Sequence, residues 1–189
     1  MKSFNQKESI WLLFILVLVF AVSFSNLRVS LRRARDVQRK NDIRLISDSL
    51  VRYQGDFGSF PLSQDGKMLA CKGPDTKKDA KGIITGLIPC EWRLDSLKDD
   101  FDETYPAYIP ALPDDPNYQK GIDYVYFSDG ELFQIYAALE GKDEAEYDPK
   151  IVARGISCGV QICNFGLSYA NTPLDKSIEE YQNELKSKK

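Results

Sequence analysis

The sequence contains no histidine among its 189 residues. This absence excludes Ser-His-Asp and Cys-His catalysis, histidine metal ligands and the usual switch that titrates near neutral pH. No Cys-x-x-Cys motif occurs either, which disfavours a zinc site or a thioredoxin-type redox centre. We also find no internal repeat, no low-complexity segment and no paired-carboxylate motif. The absences together predict a protein that is not an enzyme.

Helix-breaking residues are missing from the N-terminal part, since the first glycine is Gly55 and no proline precedes it. The uncharged apolar run at residues 10–24 can therefore continue into the basic segment after it as one helix. The uncharged stretch at residues 9–27 has about 19 residues, close to the roughly 20 that span a bilayer. The predicted membrane helix contains Ile10, Trp11, Leu12, Leu13, Phe14, Ile15, Leu16, Val17, Leu18, Val19 and Phe20.

The apolar run also fits a cleavable secretory signal. Lys2 and Lys7 supply its basic region, and Ala21-x-Ser23 or Ser23-x-Ser25 supplies a small-residue cleavage site. Because the helix pattern continues through that point, we favour a retained anchor.

Charge is nearly balanced overall, with 25 basic and 28 acidic residues and a net charge of −3. No nucleic-acid partner is expected, because DNA binding would need a groove-reading element that the sequence does not show. Positive charge is instead concentrated after the apolar run. We expect this cluster to meet anionic lipid headgroups, or to be a solvated helix face with a local Arg32–Asp36 pair. The cluster, here called the basic collar, comprises Arg28, Arg32, Arg33, Arg35, Arg39 and Lys40.

The four cysteines predict two disulfides and an oxidising compartment. Of the three pairings, we favour Cys71–Cys90 and Cys158–Cys163, because each closes a local glycine-containing loop. The alternative is four reduced thiols in a cytoplasmic domain. The positive-inside rule favours that cytoplasmic orientation, since six basic residues follow the run and two precede it. We give the cysteines more weight and predict an extracytoplasmic domain.

Apolar residues after the run predict an amphipathic helix that extends to Gln54 and is ended by Gly55 and Gly58. Residues 62–120 predict loops, and residues 123–127 and 131–139 predict a hairpin. A third short strand is expected near residues 159–165, and a terminal helix after Leu174. The predicted class is α+β, a long helix packed on a small antiparallel sheet. The helix stripe consists of Leu27, Leu31, Ala34, Ile43, Ile46, Leu50, Tyr53 and Phe57.

Three parts of the chain together resemble the type IV pilin superfamily, most closely the pseudopilins of type II secretion. The first part is the helix segment ARDVQRKNDIRLI at residues 34–46, with LVRY and GSFP after it. The second is YIPALPDDP at residues 108–116, followed by YVYFSDG and YAALE. The third is the loop from Cys158 to Cys163 with NFGLS after it. The likeness covers residues 8 to about 172 and implies a pilin-like fold.

By the register of this resemblance, prepilin peptidase would cut between Ser3 and Phe4, and Glu8 would serve in assembly. In the family this glutamate is thought to meet the N-terminal amine of a neighbouring subunit. Ser3 stands where family members carry glycine, and polar residues follow Phe4, so the sequence leaves cleavage open. The alternative for Glu8 is a solvated position at the lipid headgroups, beside Lys7.

The resemblance divides the chain into a processing region at 1–8, a membrane half-helix at 9–27 and an amphipathic half-helix at 28–57. A globular domain at 58–172 and a charged tail or short helix at 173–189 follow. The implied function is a structural subunit of a pilus or secretion pseudopilus. Its implied partners are membrane lipid, copies of itself, other pilin-like subunits and an inner-membrane assembly platform. The basic collar would bind lipid or pair with acidic patches on adjacent subunits. The subunit would be a single-pass inner-membrane protein, and assembled subunits would form an extracellular filament. The alternative is a singly anchored extracytoplasmic binding protein that never polymerises.

Major pseudopilins bind calcium in an acidic loop after the sheet. The candidate residues here lack the Asp-x-Asp spacing of a calcium loop, so we expect a solvated loop and no cofactor. We expect Asp114 and Asp115, which precede Pro116, to cap a turn. The calcium candidates are Asp143, Glu144, Glu146 and Asp148.

Overall fold

The computed structural model describes residues 6–82, 84–99, 101–102 and 104–188. Its dominant element is one uninterrupted helix, α1 (Gln6–Phe57), about 78 Å long at 1.5 Å per residue. The helix continues through Gly55, past the end at Gln54 that the apolar pattern predicts, and ends at Phe57, the bound given to the amphipathic half-helix. It stops where Gly58 adopts a left-handed φ of 76° and donates its N–H to the Gln54 carbonyl at 2.8 Å.

The residues after α1, which we call the head, begin with short strands separated by loops. Strand β1 pairs with β2, and β2 pairs with β5, all antiparallel. Strands β3 and β4 form a separate antiparallel pair. The sequence predicts loops here, and the proline-rich composition keeps each strand short. The strands are β1 (Ser63–Gln64), β2 (Lys67–Cys71), β3 (Lys77–Lys78), β4 (Ile84–Gly86) and β5 (Ile88–Pro89).

The predicted hairpin supplies the central strand and one edge strand of a second three-stranded sheet. Strand β6 (Val125–Ser128) pairs with β7 (Phe133–Ala137), and Gly130 lies in the turn between them with a φ of 95°. After helix α2 (Pro149–Ala153), strands β8 (Ser157–Cys158) and β9 (Gln161–Ile162) form a small hairpin. Strand β10 (Phe165–Ser168) then pairs with β7, which gives the antiparallel order β10-β7-β6. Helix α3 (Ile178–Ser187) follows, so the α+β class is confirmed.

The second half of α1 packs on β7 and β10. Ile43, Ile46 and Leu50 have no exposed surface and join the main hydrophobic core. Leu31 and Ala34, which were predicted to share their stripe, are exposed. The prediction fails because Ala34 and Ile43 are nine positions apart, about 180° around a helix of 3.6 residues per turn.

Two disulfides, both in the pairings that the sequence favours, hold the loops of the head. Cys71, at the end of β2, is bonded to Cys90, which directly follows β5. Cys158 and Cys163 close the β8–β9 hairpin. All four cysteines are buried, so the disulfides add to the core as well as closing loops.

Candidate functional site

The first half of α1 is apolar and uncovered. The side chains from Ile10 to Phe20 are each 51–68 % exposed. By length and composition, α1 is the one helix among the described residues that is able to cross a membrane. A contiguous exposed apolar surface of this kind typically marks a contact with lipid or with another protein.

The second half of α1 is fixed to the head by a buried ionic cluster centred on Arg39. The guanidinium of Arg39 has no exposed surface and makes a two-point contact with Asp115, Nε to Oδ2 at 2.7 Å and Nη2 to Oδ1 at 2.9 Å. Its Nη1 donates to Asp36 at 2.8 Å and to Glu140 at 3.0 Å. A planar guanidinium suits this arrangement because its donors form a rigid fork.

Asp36 connects the cluster to the backbone of the head. Its carboxylate accepts hydrogen bonds from the N–H of Glu140 at 2.9 Å and from the N–H of Gly141 at 3.0 Å. Asp36, like Arg39, is fully buried. Because α1 supplies both signs of charge, the contact fixes the rotation and the axial position of the helix against the loop after β7.

Four further collar residues bind the acidic loop, which we define as residues 140–148. Arg35 contacts Glu140 through two hydrogen bonds, at 2.7 and 2.6 Å. Arg32 pairs with Asp143 at 2.7 Å, and Arg33 lies 3.8 Å from the same carboxylate. Lys40 Nζ is shared by Glu144 at 2.9 Å and Glu146 at 3.0 Å. The loop is thus bound along one side of α1 by opposite charge.

These contacts correct the expected surroundings of the collar. Arg32 pairs with Asp143 across the fold, so the predicted local pair with Asp36 is wrong. Asp36 is turned instead toward the buried Arg39. The collar side chain nearest the apolar run, Arg28, lies over the Phe24 ring at 4.4 Å.

The calcium candidates have other partners in the structure. Asp143, Glu144 and Glu146 pair with α1, whereas the sequence predicts a solvated loop. Asp148 caps α2 by accepting the N–H of Lys150 at 2.8 Å. Within the described ranges, no three acidic or cysteine side chains are grouped as metal ligands.

Asp115 is a member of the cluster that the sequence predicts only as a turn cap. It accepts the N–H of Asn117 at 2.7 Å, so it does cap a turn, as predicted. It is also 1 % exposed and carries the two-point contact with Arg39, 76 positions away in the sequence. The one sequence signal for a buried Arg39 is its helical spacing from Asp36 and Ile43, which puts all three residues on the face that packs on the sheet.

Two opposing effects set the ionisation of the cluster. Burial acts to lower the pKa of Arg39, but hydrogen bonds and charge from Asp115, Glu140 and Asp36 outweigh it and raise the pKa. For Glu140, the hydrogen bonds from Arg35 are the largest cause and lower its pKa to about 2, with burial opposing and Arg39 adding to the decrease. Both groups therefore carry charge throughout the physiological range.

Acid is expected to loosen this attachment. The folded-state pKa of Glu140 is below its ordinary value of 4.5, so its stabilisation is present above that value and is lost as pH falls toward 2. Lowered pKa values for Asp143 and Glu146 act in the same direction. Urea unfolding of the full chain in detergent should show a free energy of unfolding that falls from pH 5 to pH 2.

Glu140→Gln should flatten that pH dependence, because the charge that titrates is removed. Glu131→Gln is the matched control, since Glu131 is exposed in the β6–β7 turn and distant from the cluster. Equal slopes for wild type and Glu140→Gln would contradict the assignment.

The processing residues Ser3 and Phe4 lie outside the described residues, as does the side chain of Glu8, whose backbone belongs to α1. Comparison of the chain with protein-family models, with curated proteins and with solved structures finds no match. Any function assigned to the chain consequently rests on its own residues and their geometry.

Proposed function

We propose that the chain is a non-enzymatic, pilin-like structural subunit. The apolar half of α1 anchors it in a membrane, and copies assemble through that helix into a pilus or a secretion pseudopilus. The observation that carries the proposal is the division of one unbroken helix into an uncovered apolar half and a half fixed to a folded head.

The apolar half suits both a bilayer and a bundle of sister helices. About 19 uncharged residues rise roughly 28 Å, close to the roughly 30 Å thickness of the hydrocarbon core. Leaving the bilayer is favourable only if the same surface is buried elsewhere, and copies of the helix offer a surface of the same kind. Glu8, which the resemblance assigns to assembly, lies at the N-terminal end of this segment. A carboxylate there is costly to place in lipid without a partner.

An exposed apolar strip extends the uncovered surface beyond the membrane segment. Leu27, Leu31 and Leu45 are 53 %, 51 % and 47 % exposed, and Ala34 is exposed between them. At 100° per residue these positions lie on one side of α1, turned away from the face that packs on the sheet. A neighbouring helix would cover this strip without displacing the head.

The ionic cluster supports the proposal because assembly through a helix requires that the head keep a fixed position on it. Arg39 and Asp36 prevent α1 from sliding or rotating against β7 without separating buried charges. Every copy would then present the same surface in the same register, as a regular filament needs.

The alternative is a singly anchored extracytoplasmic protein that binds a partner and does not polymerise. Ser3, in the position of the family's glycine, is the observation that favours it, because an unprocessed chain would keep its polar N-terminus.

N-terminal sequencing of the chain isolated from its native membrane separates the two functions. A mature chain that begins at N-methylated Phe4 is the expected result. A chain that retains Met1 would count against assembly and favour the single anchor.

A further inference from the structure

A cleft of about 540 Å³ lies in the head, away from the ionic cluster. It is bounded by the β1–β2 turn, by the residues that follow β5, by β6 and by the β8–β9 hairpin. Aromatic side chains form much of its wall: Trp92, Tyr124 and the half-buried Phe127. The Tyr124 hydroxyl donates to Asp42 on α1 at 2.8 Å, and its ring meets Trp92 edge to face at 6.0 Å, so the wall is held in place.

Negative charge at the cleft is only partly neutralised. Lys67 is the one cation among its lining residues, and its Nζ pairs with Glu91 at 2.6 Å. The carboxylates of Asp65 and Asp123 make no hydrogen bond or ion pair within the described ranges. Burial is the largest cause of a raised pKa at Asp123, although the charge of Lys67 opposes it. Both carboxylates are exposed at the edge of the cleft, where a cation can reach them.

Trp92 adds an unused hydrogen-bond donor. The residue is 9 % exposed, yet its indole N–H has no partner among the described residues, and it is not sealed from solvent. A tryptophan that is buried to this extent normally finds an acceptor for its N–H. A ligand that lies in the cleft can supply that acceptor.

We propose that this cleft binds the cationic side chain of a lysine or arginine in a polypeptide. The ammonium or guanidinium group meets Asp123 and Asp65, and the apolar stem lies along Phe127 and Trp92. A backbone carbonyl of the same peptide accepts the Trp92 N–H. The two carboxylates, which pair with no cation among the described residues, favour this occupant over a neutral saccharide, which would use the aromatic wall but gain nothing from their charge.

Trp92 is also the reporter for the test. The full chain in detergent micelles carries Trp11→Phe, which leaves Trp92 as its one tryptophan. Acetyl-Gly-Lys-Gly-amide and its arginine counterpart are titrated and the indole fluorescence is followed. The uncharged controls are the norleucine peptide and N-acetylglucosamine. We expect a saturable change with the basic peptides that weakens with added salt, and no saturable change with either control.

Variants locate the binding. Asp123→Asn is close to isosteric. It should weaken the affinity for the basic peptides about tenfold, because one charge-assisted contact near an aromatic wall is lost. Asp65→Asn is the second variant, because Asp65 has a left-handed φ of 51° that asparagine tolerates. Glu179→Gln on α3 removes the same charge at an exposed residue that does not line the cleft, and it should leave affinity unchanged.

Three results would overturn the proposal: no saturable response to either basic peptide, equal binding of the norleucine peptide, or tighter binding of N-acetylglucosamine. Unchanged affinity in both aspartate variants, with unfolding curves like that of the parent, would also overturn it. None of these readouts depends on filament assembly, so they test the binding site independently of the proposed structural role.

Discussion

Replacing Arg39 with methionine is expected to destabilise the folded head by about 3–5 kcal/mol. The substitution keeps an unbranched apolar stem but removes the cation that pairs with the buried carboxylates of Asp36 and Asp115. Both carboxylates would then have to become protonated or admit water. Urea unfolding of the full chain in detergent at pH 7, followed by near-ultraviolet circular dichroism, measures the loss.

The matched control for this prediction is Arg33→Met. Arg33 belongs to the same collar, but its side chain is 63 % exposed and its contact with Asp143 is 3.8 Å long. Exposed pairs of this kind contribute less than about 1 kcal/mol. Similar unfolding midpoints for the two variants would show that the cluster does not hold α1 to the head.

A second variant separates the charge effect from a loss of packing. Combining Arg39→Met with Asp115→Leu removes a buried anion together with its cation, so stability should recover part of the way toward wild type. Added losses without recovery would mean that Arg39 acts mainly through its packing.

Placing two arginines in the apolar run should remove the chain from the membrane. Leu13→Arg with Leu16→Arg raises the free energy of membrane insertion by roughly 5–7 kcal/mol if both positions lie near the bilayer centre, since each arginine contributes roughly 2.5–3.5 kcal/mol. The measurement is the fraction of the chain that remains with the membrane pellet after an alkaline carbonate wash. We expect wild type in the pellet and the double variant mainly in the supernatant or degraded.

Leu31→Arg with Leu45→Arg is the control for that experiment. Both leucines are about as exposed as those in the run, yet they lie beyond the apolar run. This variant should stay in the pellet. If Leu13→Arg with Leu16→Arg stayed there equally, the apolar run would not be the anchor.

The sequence predicts the main elements of the fold because they depend on local signals. The absence of glycine and proline before Gly55 predicts α1, and alternating aromatic and β-branched residues around Ser128-Asp129-Gly130 predict the β6–β7 hairpin. The short loops between cysteines favour the pairings that the structure contains. Each of these signals acts over a few residues or a short loop.

The ionic cluster could not be predicted, because its partners meet only after α1 packs on the sheet. Arg39 and Glu140 are 101 positions apart, and nothing local to either residue marks the other. The collar residues lie at the start of an amphipathic helix and carry charge. The sequence therefore predicts a lipid contact or a solvated face for them. Ala34 and Ile43 were placed on one stripe in error, because nine residues make about two and a half helical turns and so end on the opposite face.

Fixing α1 to the head and leaving its first half uncovered are complementary features. A head that moved on the helix would prevent neighbouring copies from repeating one contact. An apolar half covered by its own head would have no reason to enter a membrane or a helix bundle.

Crosslinking through α1 in the membrane tests assembly most directly. A photoreactive phenylalanine analogue replaces Leu16 in the full chain, and illuminated native membranes are analysed for products larger than one chain. Assembly predicts a ladder of dimers, trimers and higher species from Leu16, and the same ladder from Leu31 on the exposed strip. Adducts with lipid alone at Leu16, and monomer alone at Leu31, would contradict it.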